Sequence, residues 1–204
     1  MKEVEIVISK YEEDISWISD LQHPYVIYDK SDTPIKNSIH LKNLGREANT
    51  FLYHIVNQYT TLAEVTIFLQ GNPFDHAYLF EKDKNKFIQL VNNENANSSF
   101  HSAYQSTFID NTATGGMKWY SLANTKHIFK NNITTPLSFY PGAQYIVPKK
   151  NIQAKPLSFW THLLKLSKTN IFGDTSEYID PWTFERIWNL LFDPNEEIHE
   201  RFLV

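Results

Sequence analysis

The chain has 204 residues, a length that suits one domain, with 42% apolar and 21% charged residues, the balance of a globular protein able to bury a core. A net charge of −4, with no Lys/Arg block longer than two residues, argues against nucleic-acid binding driven by phosphate contacts. The absence of cysteine excludes disulfides, thiolate metal sites and Cys nucleophiles. The opening residues hold no signal-like apolar run, and no stretch reaches the roughly 20 apolar residues of a membrane helix, so the expectation is a soluble, cytoplasmic protein with no membrane span. Aromatics are plentiful at 15%, with five Trp, and serve either a well-filled core or a site that stacks flat rings and sugars.

Residues 4–9 form the first strand candidate and end in the polar run Lys10-Tyr11-Glu12-Glu13-Asp14. A short helix over 15–21 and a second strand over 25–28 follow, ending at Asp29-Lys30-Ser31-Asp32. Two short apolar strands around a helix suggest a parallel β-α-β start. The clearest helix spans 47–59, with Ala48, Phe51, Leu52, Ile55, Val56 and Tyr59 on one stripe. Gly45 precedes it, so backbone N–H groups at its start can face an anion. The nearly unbroken apolar run 65–69 reads as a central strand covered on both faces. It leads into Gln70-Gly71-Asn72-Pro73-Phe74-Asp75-His76, and the carboxyl end of such a strand is where open sheets form their crevice.

Beyond Asp75, residues 77–80 and 87–91 read as strands around a turn at 82–85, and residues 92–135 are polar without a clear period. Residues 143–147 are a strand candidate. Pro156 suits a first helical position, with Leu157, Trp160, Leu163 and Leu164 on one face. Asp180-Pro181 is an N-cap and N1 pair, opening a helix that turns Phe184, Ile187, Trp188 and Leu191 to the core and Glu185 elsewhere. Together these elements predict a single α/β domain over 1–204, with a mainly parallel central sheet flanked by helices.

Several groups carry candidate chemistry. Asp75-His76 reads as a divalent-cation pair or as a turn in which Asp75 caps an amide. Arg46 at a helix start reads as a phosphate clamp or as a surface partner of Glu12, Glu13 or Asp14. The Glu12-Glu13-Asp14 run reads as a ribose or base contact or as a solvated helix start. Glu185 reads as a general base or as an exposed helical Glu paired with Arg186. His54 reads as a core histidine or one that supports a neighbouring site, and His199 as part of a frayed tail or a group that swings toward a metal. No P-loop, GxGxxG fingerprint or Ser-His-Asp order is present.

The block from Leu44-Gly45-Arg46-Glu47-Ala48-Asn49 to Gln70-Gly71-Asn72-Pro73-Phe74-Asp75-His76 resembles a family of fungi, bacteria and large viruses catalogued as a domain of unknown function. The opening Ser9-Lys10-Tyr11-Glu12-Glu13-Asp14, the late Gly142-Ala143-Gln144-Tyr145 and Phe184-Glu185-Arg186-Ile187-Trp188 extend the match. That family looks like a reduced GT-A-type glycosyltransferase and is similar to a chlorella-virus sugar-transferase domain that builds capsid glycans. The resemblance implies transfer from a nucleotide diphosphate sugar, usually a UDP-sugar, to a glycan acceptor, with Mn²⁺ or Mg²⁺, and a plausible base at Glu185 favours inversion. It implies nucleotide and donor contacts at Ser9, Tyr11, Glu13, Asp29, Arg46, Gln70 and Asp75, and metal ligands Asp75 and His76. It further implies an acceptor side at Gly142, Ala143 and Gln144 and a base at Glu185. The Asp-x-Asp metal motif of GT-A enzymes occurs nowhere in the chain. A non-catalytic glycan- or nucleotide-binding module and a metal-dependent hydrolase are the rival readings.

Overall fold

The computed structural model describes residues 2–74, 83–103, 108–110, 125, 128–131, 133, 137–168 and 179–203. The first half contains β1 (Val4–Lys10), β2 (Tyr25–Asp29), β3 (Ile39–His40), α1 (Arg46–Gln58) and β4 (Val65–Gln70). The second contains α2 (Lys84–Asn92), β5 (His101–Ser102), β6 (Phe108–Asp110), β7 (Leu137–Phe139), β8 (Tyr145–Pro148), α3 (Lys149–Gln153), α4 (Leu157–Leu166) and α5 (Pro181–Phe192). Short 3₁₀ turns cover Ser16–Asp20 and Glu200–Phe202.

Six strands form one sheet in the order β3-β2-β1-β4-β8-β5, while β6 and β7 pair separately. β1 lies parallel to both β2 and β4, and β3 extends the parallel set beyond β2. β8 runs antiparallel to β4 and to β5, so the sheet is mixed but mostly parallel. The chain builds outward from β1 to β2 and β3, then returns to place β4 on the other side of β1. That reversal makes the β1/β4 boundary a topological switch point.

Both faces of the sheet are covered, which is why β1 and β4 read as continuous apolar runs. Val7, Phe68, Tyr145 and Val147 pack with buried residues of α1, α4 and α5. Ile6, Ile8, Ile67 and Leu69 face the other way, onto Trp17, Phe74, Phe87 and Val91. The aromatic excess goes largely into this core. Trp160 and Trp188 are fully buried, and Trp188 stacks on Phe192 with ring centroids 5.1 Å apart. Among the described residues no helix is long and apolar enough to cross a membrane.

Three expected elements differ. Residues 87–91, read as a strand, belong to α2, whose N-cap Asp83 accepts from the Lys86 N–H. Phe87, Ile88 and Val91 are the buried positions, an i, i+1, i+4 set that fits a helix face as well as a short apolar strand. The partner strand read over 77–80 lies outside the described residues. Pro156 is the N-cap of α4 rather than its first helical residue, and the buried stripe is Phe159, Trp160 and Leu163, leaving Leu157 exposed. The strand read over 143–147 begins only at Tyr145, because Gly142 and Ala143 both hold left-handed backbone, φ 82° and 47°. By contrast α5 starts as expected, with the Asp180 carboxylate accepting from the Thr183 N–H at 3.0 Å and its hydroxyl at 2.6 Å. His199 is tied rather than frayed: its N–H donates to the Ile128 carbonyl, and its Nδ1 accepts from the Arg201 N–H.

Candidate functional site

A cleft of about 400 Å³ opens at the carboxyl ends of β1 and β4. β1 and the turn after it supply Ser9, Lys10, Tyr11 and Glu13; the end of β4 supplies Gln70 and Asn72. Lys30 enters from the end of β2, Asn43 from the loop before α1, and Arg46 and Glu47 from its first turn. The expected donor-side residues Ser9, Tyr11, Glu13, Arg46 and Gln70 therefore share one cavity at the switch point.

Their roles are not equal. The Ser9 hydroxyl donates to Thr50 Oγ1 at 2.9 Å and is buried against α1. Glu13 accepts from the Tyr11 N–H at 2.6 Å and packs on Gly71, where an added Cβ would stand 2.8 Å from the Glu13 carboxylate. Gly71 in turn accepts from the Trp17 indole N–H at 2.9 Å. The acidic run thus shapes the turn between β1 and the rest of the cleft, and Asp14 caps the 3₁₀ turn through Ser16. Tyr11 is 39% exposed and offers a ring face at the cleft mouth.

Asp29 does not line the cleft. It is fully buried and accepts from the Ser31 N–H, the Ser31 hydroxyl and the Ile35 N–H, with Lys10 Nζ 3.4 Å away. Burial pushes its carboxyl up, but these donors outweigh it and hold the pKa below the usual carboxylate value. It organises the turn beneath the site instead of meeting a ligand. Asp75 and His76, the expected metal ligands, lie outside the described residues. Among the described residues no three His, Asp or Glu side chains stand together as a cation site.

The start of α1 is the most constrained part of the cleft wall. Gly45 and Arg46 both adopt left-handed backbone, φ 59° and 48°, which is unusual for a residue with a side chain. Gly45 is required twice over, since a Cβ there would also sit 1.9 Å from the Ser167 carbonyl oxygen at the end of α4. Lys30 holds this corner by donating to the carbonyls of Leu44, at 2.7 Å, and Arg46. Burial pushes the Lys30 pKa down to about 8, opposed by Glu47. The Arg46 guanidinium remains exposed, lies 5.1 Å from the Trp182 ring centroid, and forms no ion pair with Glu12, Glu13 or Asp14.

Glu47 and Glu185 approach each other across this wall. Burial raises the Glu47 pKa and Glu185 pushes it in the same direction, while its own backbone N–H, Arg46 and Lys30 oppose. Glu185 has firm partners: Oε1 accepts from the Gly142 N–H at 2.8 Å, and Oε2 accepts from Arg186 at 2.6 Å. Arg186 is buried, with its guanidinium 4.6 Å from the Phe139 ring centroid. The pairing of Glu185 with Arg186 is present, and Glu185 also anchors the strained Gly142-Ala143 turn. Gln144 is buried, donating to the Pro73 carbonyl at 2.8 Å. So Gly142, Ala143, Gln144 and Glu185 form a hydrogen-bonded flank to the cleft rather than part of its lining. They reach this edge because β8 runs against β4, bringing its entry to the side where β4 exits.

From sequence alone Asn43 and Glu47 carry no role, and Lys10 and Lys30 count only as members of the nucleotide-side strand exits 9–14 and 29–32. Lys10 and Lys30 directly follow or end strands, which places them at the same edge as Ser9 and Gln70 once the parallel pairing is known. Glu47 follows Arg46 within the resembling block, and a carboxylate in the first turn reads by default as a dipole partner.

These features define an α/β protein with a cleft at the switch point of a mostly parallel sheet. The chain belongs to the family described as protein of unknown function (DUF3431), whose family model matches residues 6–201. No curated protein and no solved structure matches it.

Proposed function

We propose that the protein transfers a sugar, with inversion, from a nucleotide diphosphate sugar of the UDP kind to a glycan acceptor. The observation that carries this reading is the exposed Arg46 guanidinium at the start of α1, aimed at a cleft on the sheet's switch point. Arginine's planar fork suits a diphosphate, and such crevices take nucleotides in open α/β sheets. Tyr11, at the cleft mouth, offers a face to a base or a sugar. Glu47, on the same wall as Arg46, supplies carboxylate chemistry to the cleft, and Glu185 stands on its flank. Mn²⁺ or Mg²⁺ enters the reading through Asp75 and His76 alone.

The test is incubation of the purified protein with a panel of nucleotide sugars and glycan acceptors, with Mn²⁺, Mg²⁺ or EDTA. Release of UDP only when acceptor is present is the expected result. Release without acceptor would assign a hydrolase, and binding without turnover would assign a recognition module.

A further inference from the structure

Resting on the glycosyl-transfer reading, we infer that Glu47, not Glu185, is the carboxylate that accepts the proton of the incoming hydroxyl. Both acids flank the same wall, but their surroundings differ in kind. Each Glu185 oxygen already accepts a strong hydrogen bond, one from a backbone N–H and one from a buried arginine. Both oxygens are therefore already engaged, and displacing the carboxylate would release the Gly142-Ala143 turn. Glu47 lines the cavity itself, between Lys30 and Arg46. Among the described residues no hydrogen bond from another residue's side chain fixes its carboxylate, and the residue is half-buried. Where two acids sit together and their environments separate them, the separation assigns their roles. Burial, and after it the neighbouring Glu185, raise the Glu47 pKa.

Arg46 and Glu47 both line the cavity, so one bound ligand can meet both. With the diphosphate at Arg46, the acceptor hydroxyl approaches from the Glu47 side. Its oxygen forms the new bond to the anomeric carbon as the bond from that carbon to the diphosphate oxygen breaks. The diphosphate leaves with the bonding electron pair, and the hydroxyl proton passes to a Glu47 oxygen.

The deciding experiment compares wild type, Glu47→Gln, Glu47→Asp and Glu185→Gln for UDP binding by calorimetry and for transfer rate against pH. Glu47→Gln is expected to bind UDP at least as well as wild type and to transfer sugar about 10² to 10⁴ times more slowly. It should also lose the acidic limb of the rate profile, which Glu47→Asp should keep, shifted, at a reduced rate. Near-normal turnover by Glu47→Gln overturns the assignment, as does a loss of UDP affinity that accounts for the whole rate effect. If Glu47→Gln does not fold, an acidic limb left unmoved in Glu47→Asp overturns it equally. A wild-type protein that turns over no nucleotide sugar removes the transfer reading itself, and the role of Glu47 with it. Wild-type turnover that survives Glu47→Gln removes only this assignment.

Discussion

The two ends of the β1/β4 pair are both polar, yet they are built in opposite ways. At the amino end, Glu5 and Thr66 face each other in register beside His54, and all three are buried. Tyr28 OH bonds His54 Nδ1 at 3.0 Å, Glu5 Oε2 stands 3.7 Å from His54 Nε2, and Lys2 takes up the Glu5 charge. Burial, reinforced by Lys2, pushes the His54 pKa down to about 4, so the imidazole is neutral. At the carboxyl end the polar groups border a cavity, and the Arg46 cation is exposed. Buried polarity alone therefore does not mark the site. Access to a cavity separates this end from the buried one.

The comparison breaks most directly at His54. His54→Ala should destabilise the protein by about 2–4 kcal/mol, through a cavity and a stranded Tyr28 hydroxyl, while UDP affinity stays unchanged. Urea unfolding and calorimetry measure the two; a matching loss of affinity would mean that the ends are coupled.

A pH titration of stability tests the same end. The folded His54 pKa lies below the unfolded value of 6.5, so the unfolded chain takes up the proton first as pH falls. Stability from this group should be intact above about pH 6.5 and decline towards pH 4, by on the order of 3 kcal/mol. His54→Gln should flatten that part of the curve, and an unchanged slope would deny the residue its buried neutral state.

At the open end, Arg46→Ala should weaken UDP binding about 10- to 100-fold, corresponding to loss of a charged hydrogen bond worth about 1.5–3 kcal/mol. Its stability should stay within about 0.5 kcal/mol, since the side chain is exposed. Arg46→Lys should recover only part of the affinity, because a point charge cannot reproduce the fork. Equal falls in Tm and affinity would make Arg46 a structural residue. The smallest effect belongs to neither end: Asp180→Ala, removing the cap of α5, should cost about 1 kcal/mol in unfolding experiments without altering UDP affinity.

What was legible in the sequence follows from how local each signal is. The α1 stripe and the Asp180-Pro181 start of α5 depend on residues within a few positions, and both elements form where they were read. The apolar run of β4 reads as a further central strand, and the exits of β1 and β2 could be placed at one edge because a parallel β-α-β start fixes their relative direction. The direction of β8 could not, since strand orientation there depends on a connection through weakly patterned polar sequence. Asp29 was misplaced for a similar reason. An acid at a strand end suggests a ligand, whereas Ser31 and Ile35 enclose it only once the turn has closed. The α2 segment failed because a short apolar run satisfies both periods, and Asp83 was read as a turn residue when it is a helix cap.

The joint at Gly45 also has a consequence for how the molecule is made. Asn49 Nδ2 in α1 donates to the Ser167 hydroxyl, a bond spanning 118 positions of chain, beside the close approach of Gly45 to the Ser167 carbonyl. A ribosome working at about 5–20 residues per second delivers the first partner on the order of ten seconds before the second. Once Asn72 has been added the nascent chain has every described residue that lines the cleft, but the wall carrying Arg46 and Glu47 has nothing to lean on. The pocket is thus a late product of biosynthesis, completed when α4 and α5 dock, and a polypeptide halted before them would carry the lining residues without the binding surface.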